Sequence, residues 1–342
     1  MTELPELSLR AKLAKRLLRL ISRRRAQEFD IDERRSWPDL AGLLRQKRHP
    51  DLEIVPITIG GVECEWVYRQ HGSPLTRPRV HEEVVDKTGQ SVLIYFHGGG
   101  YVTGSLLSAR VLSTSLAFEM PLRMLSVNYR LAPEHPFPAA LLDALAVYDQ
   151  LLADGWSPAN IGFIGDSAGG GLALSAAMAI RDSHKPLPAC IALISPWTDL
   201  TGDSSSFQEK AEEDVMLIPE EINEYAQFYA GENRPDNPYI SPLFGNFESL
   251  PPMLVHVGSE ELLLDDATRA VEKALAAGVD AKLKVWPGLF HVFSLANELV
   301  PEARESMTEI MAFLEAHLLR DTGNQKTDEI SENVNKSSTN TL

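Results

Sequence analysis

Cysteine is almost missing from this 342-residue chain: Cys64 and Cys190 are the only two, each inside an apolar, strand-like run with no second Cys or His at metal-ligand spacing. That excludes a disulfide-dense scaffold and a cysteine-ligated zinc module, and it predicts two buried free thiols. Long apolar runs are missing as well. No segment approaches the roughly 20 apolar residues that a membrane span needs. Arg19 interrupts Leu17 to Ile21, the one candidate core of a signal peptide. The expected location is cytoplasmic. Basic charge is scarce, since 48 Asp and Glu outnumber 32 Lys and Arg for a net charge of −16. Nucleic acid is therefore not an expected partner, because phosphate binding needs a dense basic face. With 44% hydrophobic and 23% charged residues, the composition is that of a globular protein and excludes a wholly disordered or fibrous chain.

The cations that are present gather at the start. Residues 1–25 hold eight Lys and Arg against two Glu, a local +6 that leaves −22 for the remainder. Leu9, Leu13, Leu17, Leu20 and Ile21 recur at helical spacing, with Lys12, Lys15, Arg16, Arg19 and Arg23 largely on other faces. This basic amphipathic helix either docks on a membrane or partner surface, or packs over the main domain with its charges solvated. The second reading is the expectation. At the other end, residues 321–342 are polar with almost no apolar anchor, and a disordered tail is expected there.

Between these ends, short β-branched runs alternate with longer amphipathic stretches. Strands are expected at Glu53 to Thr58, Val62 to Tyr68, Val92 to Phe96, Arg123 to Asn128, Ile161 to Gly165, Cys190 to Ile194, Met253 to Val257 and Lys282 to Val285. Helices are expected at Ser105 to Glu119, Ala139 to Ala153, Ala168 to Arg181, Glu220 to Ala230, Asp265 to Ala277 and Glu302 to His317. Runs such as Val92-Leu93-Ile94-Tyr95-Phe96 are apolar on both faces, as in a sheet covered by helices on each side. The fold class is α/β, a mixed, mostly parallel sheet between helices. Residues 1–50 and Gly202 to Gly231 fall outside the alternation and are expected above the sheet as a lid.

Gly165-Asp166-Ser167-Ala168-Gly169 has the form G-x-S-x-G, with an apolar run before it and helical periodicity after it. On such a strand-to-helix turn the serine hydroxyl is pushed out at the carboxyl edge of the sheet, and small residues two positions either side let the two backbones approach. Ser167 is the candidate nucleophile. His97-Gly98-Gly99-Gly100 follows the strand at Val92. Unhindered backbone N–H groups there suit the negative oxygen that develops when serine attacks an ester, and the donors are assigned to Gly98, Gly99 and Ala168. The glycines fit neither dinucleotide nor phosphate-loop spacing. A serine also needs a base and the base an orienter. His291, in Trp286-Pro287-Gly288-Leu289-Phe290-His291, follows the last strand, and the acid is expected at the end of the strand Met253 to Val257, among Glu260, Glu261, Asp265 and Asp266.

Together, HGGG at 97, NYRLAPEHPFPAA at 128, GDSAG at 165 and the late WPGLFH resemble the hormone-sensitive-lipase-like branch of the α/β-hydrolases, many of them bacterial carboxylesterases. The resemblance spans roughly residues 55–318. It implies an α/β-hydrolase fold with an eight-stranded sheet in a catalytic domain at 51–320, and a helical cap formed by residues 1–50 and part of 202–231. It also implies a Ser, acid, His triad that works without a cofactor or metal. That family places an Asp about thirty residues before the histidine in D-P-L-x-D; the matching stretch here is Glu261-Leu262-Leu263-Leu264-Asp265, so the resemblance selects Glu261 over Glu260. The aromatics near the motifs, Tyr101, Trp197, Phe290 and Phe293, either line an acyl or alcohol pocket or pack in the core, with Tyr101, Trp197 and Phe290 taken as the candidate substrate lining. Cis bonds are implied by the resemblance before Pro133 and Pro138.

The expected activity is hydrolysis of short- to medium-chain carboxylic esters through an acyl-enzyme. Lactone or amide hydrolysis on the same triad, and a non-catalytic ligand-binding role, are the alternatives. A small-molecule ester is the expected partner. Members of the family it resembles often pair through the strand or helix flanking the last βα unit, which leaves a homodimer or a monomer open here.

Overall fold

The computed structural model describes residues 6–28, 30–46, 49–69 and 91–319; the expected tail at 321–342 lies outside them. Two helices open the chain, α1 (Leu9–Glu28) and α2 (Ile31–Gln46), followed by an antiparallel hairpin of β1 (Leu52–Ile59) and β2 (Val62–Arg69). The alternation then runs β3 (Val92–Phe96), α3 (Leu106–Glu119), β4 (Arg123–Val127), α4 (Ala139–Ala153), β5 (Ile161–Asp166), α5 (Ala168–Asp182) and β6 (Cys190–Ile194). An excursion through α6 (Ser205–Glu209) and α7 (Pro219–Ala230) precedes β7 (Met253–Gly258), α8 (Leu264–Ala276), β8 (Ala281–Trp286) and α9 (Pro301–Leu318).

The eight strands form one sheet in the order β1-β2-β4-β3-β5-β6-β7-β8. β2 is antiparallel to both its neighbours, and the others run parallel. All five residues of β3 are buried, because side chains that alternate across a pleat meet a layer of helices on each side. Ile94 and Phe96 join the cluster under α4, α5 and α8, whereas Leu93 and Tyr95 join the one under α3 and α9. Cys64 and Cys190 are buried free thiols. The peptide bonds before Pro133 and Pro138 are cis.

Register decides where the loops emerge. Phe96 pairs with both Val127 and Gly165, Asp166 with Ile194, and Ile194 with His256. The segments starting at His97, Asn128, Ser167 and Ser195 therefore leave the sheet side by side at its carboxyl edge. That is where a parallel sheet presents its chemistry.

The N-terminal helices bind these loops. In α2, Arg35 donates to the Val102 and Ala132 carbonyls and pairs with Glu134, while Arg34 pairs with Glu224 of α7. For α1, Ser8 at its start donates to Glu302 of α9 through both its N–H and its hydroxyl, and Lys15 donates to the Gly288 carbonyl. One expectation needs correction in its detail. The helix does pack over the main domain, yet it does so through Ala11, Ala14, Leu18 and Ser22, and Leu9, Leu13, Leu17 and Leu20 face outward.

Candidate active site

Ser167 stands between β5 and α5 with φ 53° and ψ −123°, a conformation that non-glycine residues adopt only where their surroundings enforce it. Here they do. The Ser167 N–H donates to the Ile194 carbonyl at 2.9 Å, and its own carbonyl accepts from Trp197 N at 2.9 Å and Gly170 N at 3.0 Å. The turn is tight enough that a Cβ on Gly165 would lie 2.2 Å from the Gly169 carbonyl oxygen, and one on Gly169 would lie 2.0 Å from that of Phe96. Both glycines of the motif are thus steric requirements of the strand-to-helix turn.

Glu261 and His291, thirty positions apart, meet at 2.9 Å between Oε2 and Nδ1. Glu261 is wholly buried. Its other oxygen, Oε1, accepts from Ser195 Oγ at 2.7 Å and from the Gly258 N–H at 2.5 Å. Three hydrogen bonds therefore converge on this buried side chain. Glu260 turns the other way, to Lys15 of α1. Burial by itself would depress the basicity of His291. The Glu261 bond and the nearby carboxylates of Asp214 and Asp166 outweigh it and hold the His291 pKa above its ordinary 6.5.

Gly98 is a correction. Its N–H donates to Asp166 Oδ1 at 2.9 Å, an oxygen that also accepts the Tyr95 hydroxyl at 2.6 Å, so it is already committed. Among the described residues the N–H groups of Gly99, Gly100 and Ala168 donate to nothing in the protein. Ala168 opens α5, and the amides of a first helical turn have no partner within the helix and carry the positive end of its dipole. Burial raises the Asp166 pKa against the opposing Tyr95 and Gly98 bonds. His97 is stacked on Tyr129 at 4.4 Å, and burial lowers its pKa to about 4, so it stays neutral.

Tyr101 and Trp197 lie together, with ring centroids 6.2 Å apart, and Tyr101 stacks flat on Tyr229 of α7 at 3.6 Å. Phe290 sits in a separate cluster with Ala11, Val215 and Trp286. Sequence reasoning missed Ser195 and Asp214. Ser195 Oγ links Glu261 to the Val292 N–H, and Asp214 accepts from Leu262 N at 2.9 Å, bracing the segment that carries Glu261. The positive φ of Ser195, 48°, has no signature in the sequence.

A model of the α/β-hydrolase fold matches residues 93–295. The chain belongs to that family. Within it, the hydrolase is similar to an acetyl-hydrolase of Streptomyces hygroscopicus, 36% identical over 290 residues that cover 83% of this chain and 90% of the relative. It is also similar to an esterase of Acinetobacter venetianus, 34% identical over 267 residues, 78% of this chain and 83% of that one. Among solved structures, an esterase from the bacterial hormone-sensitive lipase family superposes with a TM-score of 0.80 at 35% identity, covering 92% of this hydrolase and all of that chain. The hydrolase is of the hormone-sensitive-lipase type, as its motifs imply.

Proposed function

We propose that this α/β-hydrolase is a serine carboxylesterase acting on short- to medium-chain esters, with Ser167 as nucleophile, His291 as base and Glu261 as the acid that orients it. Ester hydrolysis is the activity carried by the names of its relatives. The observation that carries the residue assignment is the Glu261 to His291 bond, on the same carboxyl edge as the strained Ser167.

In the proposed reaction His291, with Nδ1–H held by Glu261, accepts the Ser167 proton at Nε2, and the serine oxygen attacks the ester carbonyl. The tetrahedral oxyanion is held by the N–H groups of Gly99, Gly100 and Ala168. Gly100 replaces Gly98 in this role because Asp166 already occupies the Gly98 donor. His291 then returns the proton to the departing alcohol, and the acyl group remains on Ser167. Water, deprotonated by His291, releases the acid and regenerates the hydroxyl. No cofactor enters any step.

The short acyl range is supported by the similarity to an acetyl-hydrolase and by the aromatic crowding beside the glycine loop, where Tyr225 of α7 lies against Gly100 and Tyr101 stacks on Tyr229. Residues 1–50 with 202–231 act as the cap in this reading, since α1, α2 and α7 hold the loops of the carboxyl edge. A homodimer would form along β8, one of the two edge strands of the sheet.

The test is hydrolysis of p-nitrophenyl esters from acetate to palmitate by the wild type and by Ser167→Ala. Turnover that peaks at short chains and vanishes with the serine supports the reading. A folded wild type that turns over none of the series contradicts it.

A further inference from the structure

Four leucines of α1 point away from the protein. Leu9, Leu13, Leu17 and Leu20 are 83%, 68%, 58% and 72% exposed. At 3.6 residues per turn they fall within an arc of about 80°, so they form one stripe along the helix. Arg10 borders that stripe on one side and Arg16 on the other, both exposed. The opposite side of the helix, Ala11 and Ser22, is buried against the body, and Ser8 and Lys15 fix it there through Glu302, Glu260 and Gly288. An apolar stripe on a firmly held helix costs solubility and does nothing for the core.

Along the seam between α1 and the body runs a cleft of about 280 Å³, lined by Lys12, Lys15, Arg16 and Arg19 with Leu7 and Val215. Within it Lys12 pairs with Glu6, Lys15 with Glu260, and Arg19 donates to the Glu212 and Glu213 carbonyls. Arg16, with Arg10 across the stripe, is exposed, and cations flanking an apolar stripe match the two layers of a bilayer surface, anionic headgroups above acyl chains. The charge of the whole chain agrees. Residues 1–25 carry +6 and the remainder −22, so an anionic surface attracts this end and repels the rest, which fixes the orientation.

We propose that α1 seats the protein on anionic phospholipid bilayers, its four outward leucines entering the acyl boundary and the flanking Arg10 and Arg16 binding headgroup phosphates. Association of two copies through the stripe is less well matched. Four leucines along about 17 Å of helix fall well short of the roughly 800 Å² per partner that a stable protein interface buries.

The experiment is co-sedimentation of the full chain with phosphatidylglycerol-containing vesicles and with pure phosphatidylcholine vesicles. It compares the wild type, Leu13→Ser/Leu17→Ser and Arg10→Gln/Arg16→Gln. Far-UV circular dichroism shows that each variant is folded, and p-nitrophenyl acetate hydrolysis without vesicles is expected to stay at the wild-type rate. The wild type should prefer the anionic vesicles and release them as salt rises, and each double variant should lose about tenfold or more in affinity. Failure of the wild type to bind anionic vesicles, or equal binding by the leucine variant, overturns the proposal. So does a wild-type dimer that Leu13→Ser/Leu17→Ser converts to monomer, because the stripe then belongs to a second copy.

Discussion

The Ser195 hydroxyl donates to Glu261 at 2.7 Å, and it is Glu261 that holds His291. The same hydroxyl accepts the Val292 N–H at 3.1 Å, so one small side chain ties the acid to the residue after the base. Ser195→Ala removes a donor from a buried carboxylate and an acceptor from a half-buried amide. Its expected cost is about 1–3 kcal/mol of stability, measured by urea unfolding, together with a fall in kcat. Unchanged stability and unchanged kcat would show that this hydroxyl positions nothing.

Glu261→Gln keeps the shape of the orienting side chain and removes its charge. A loss of about 10⁴ in kcat is expected, as when a triad carboxylate becomes an amide elsewhere. Glu260→Gln touches only the Lys15 pairing and is expected to leave kcat close to wild type. Steady-state kinetics of the two variants side by side separate the adjacent glutamates, and a larger effect at Glu260 would reverse the assignment.

His291 must be neutral to accept the Ser167 proton. Its pKa is raised above 6.5, so the fraction able to act as base falls as pH drops through that raised value. The acidic limb of kcat/KM against pH is therefore expected to have its midpoint above 6.5. Glu261→Gln removes the largest of the causes that raise the His291 pKa and leaves those of Asp214 and Asp166, so in this variant the midpoint should move down. A midpoint that stays in place would show that the limb reports another group.

Asp166 accepts Gly98 N–H and the Tyr95 hydroxyl on one buried oxygen, and so pins the glycine loop to β5. Asp166→Ala frees that loop. Misplaced oxyanion donors cost about 10²-fold in kcat, with Ser167 still present and still open to acylation. Wild-type kcat in this variant would mean that the loop is held by other contacts.

Much of this was legible in the chain because the elements are locally determined. β3, β6 and α4 occupy the residues that periodicity predicts, and the turn at Ser167 follows from two glycines that backbone contact demands. What was not legible depends on partners distant in sequence. Nothing near Gly98 says that the side chain of Asp166 takes its N–H, 68 positions away. Ser195 reaches Glu261 only because β6 and β7 are neighbours in the sheet. The leucine repeat of α1 announced an amphipathic helix correctly, but which face would meet the body depended on Ser8, Lys15 and the distant groups they bind.

The most direct test of the central claim is to look for the acyl group on Ser167 itself. Wild-type protein quenched with acid during turnover of p-nitrophenyl butyrate is digested and analysed by mass spectrometry. The peptide holding Gly165-Asp166-Ser167 should carry one butyryl group, and the same peptide from Ser167→Ala should carry none. An active enzyme with this peptide unmodified, or with the butyryl group on another residue, would contradict Ser167 as the nucleophile.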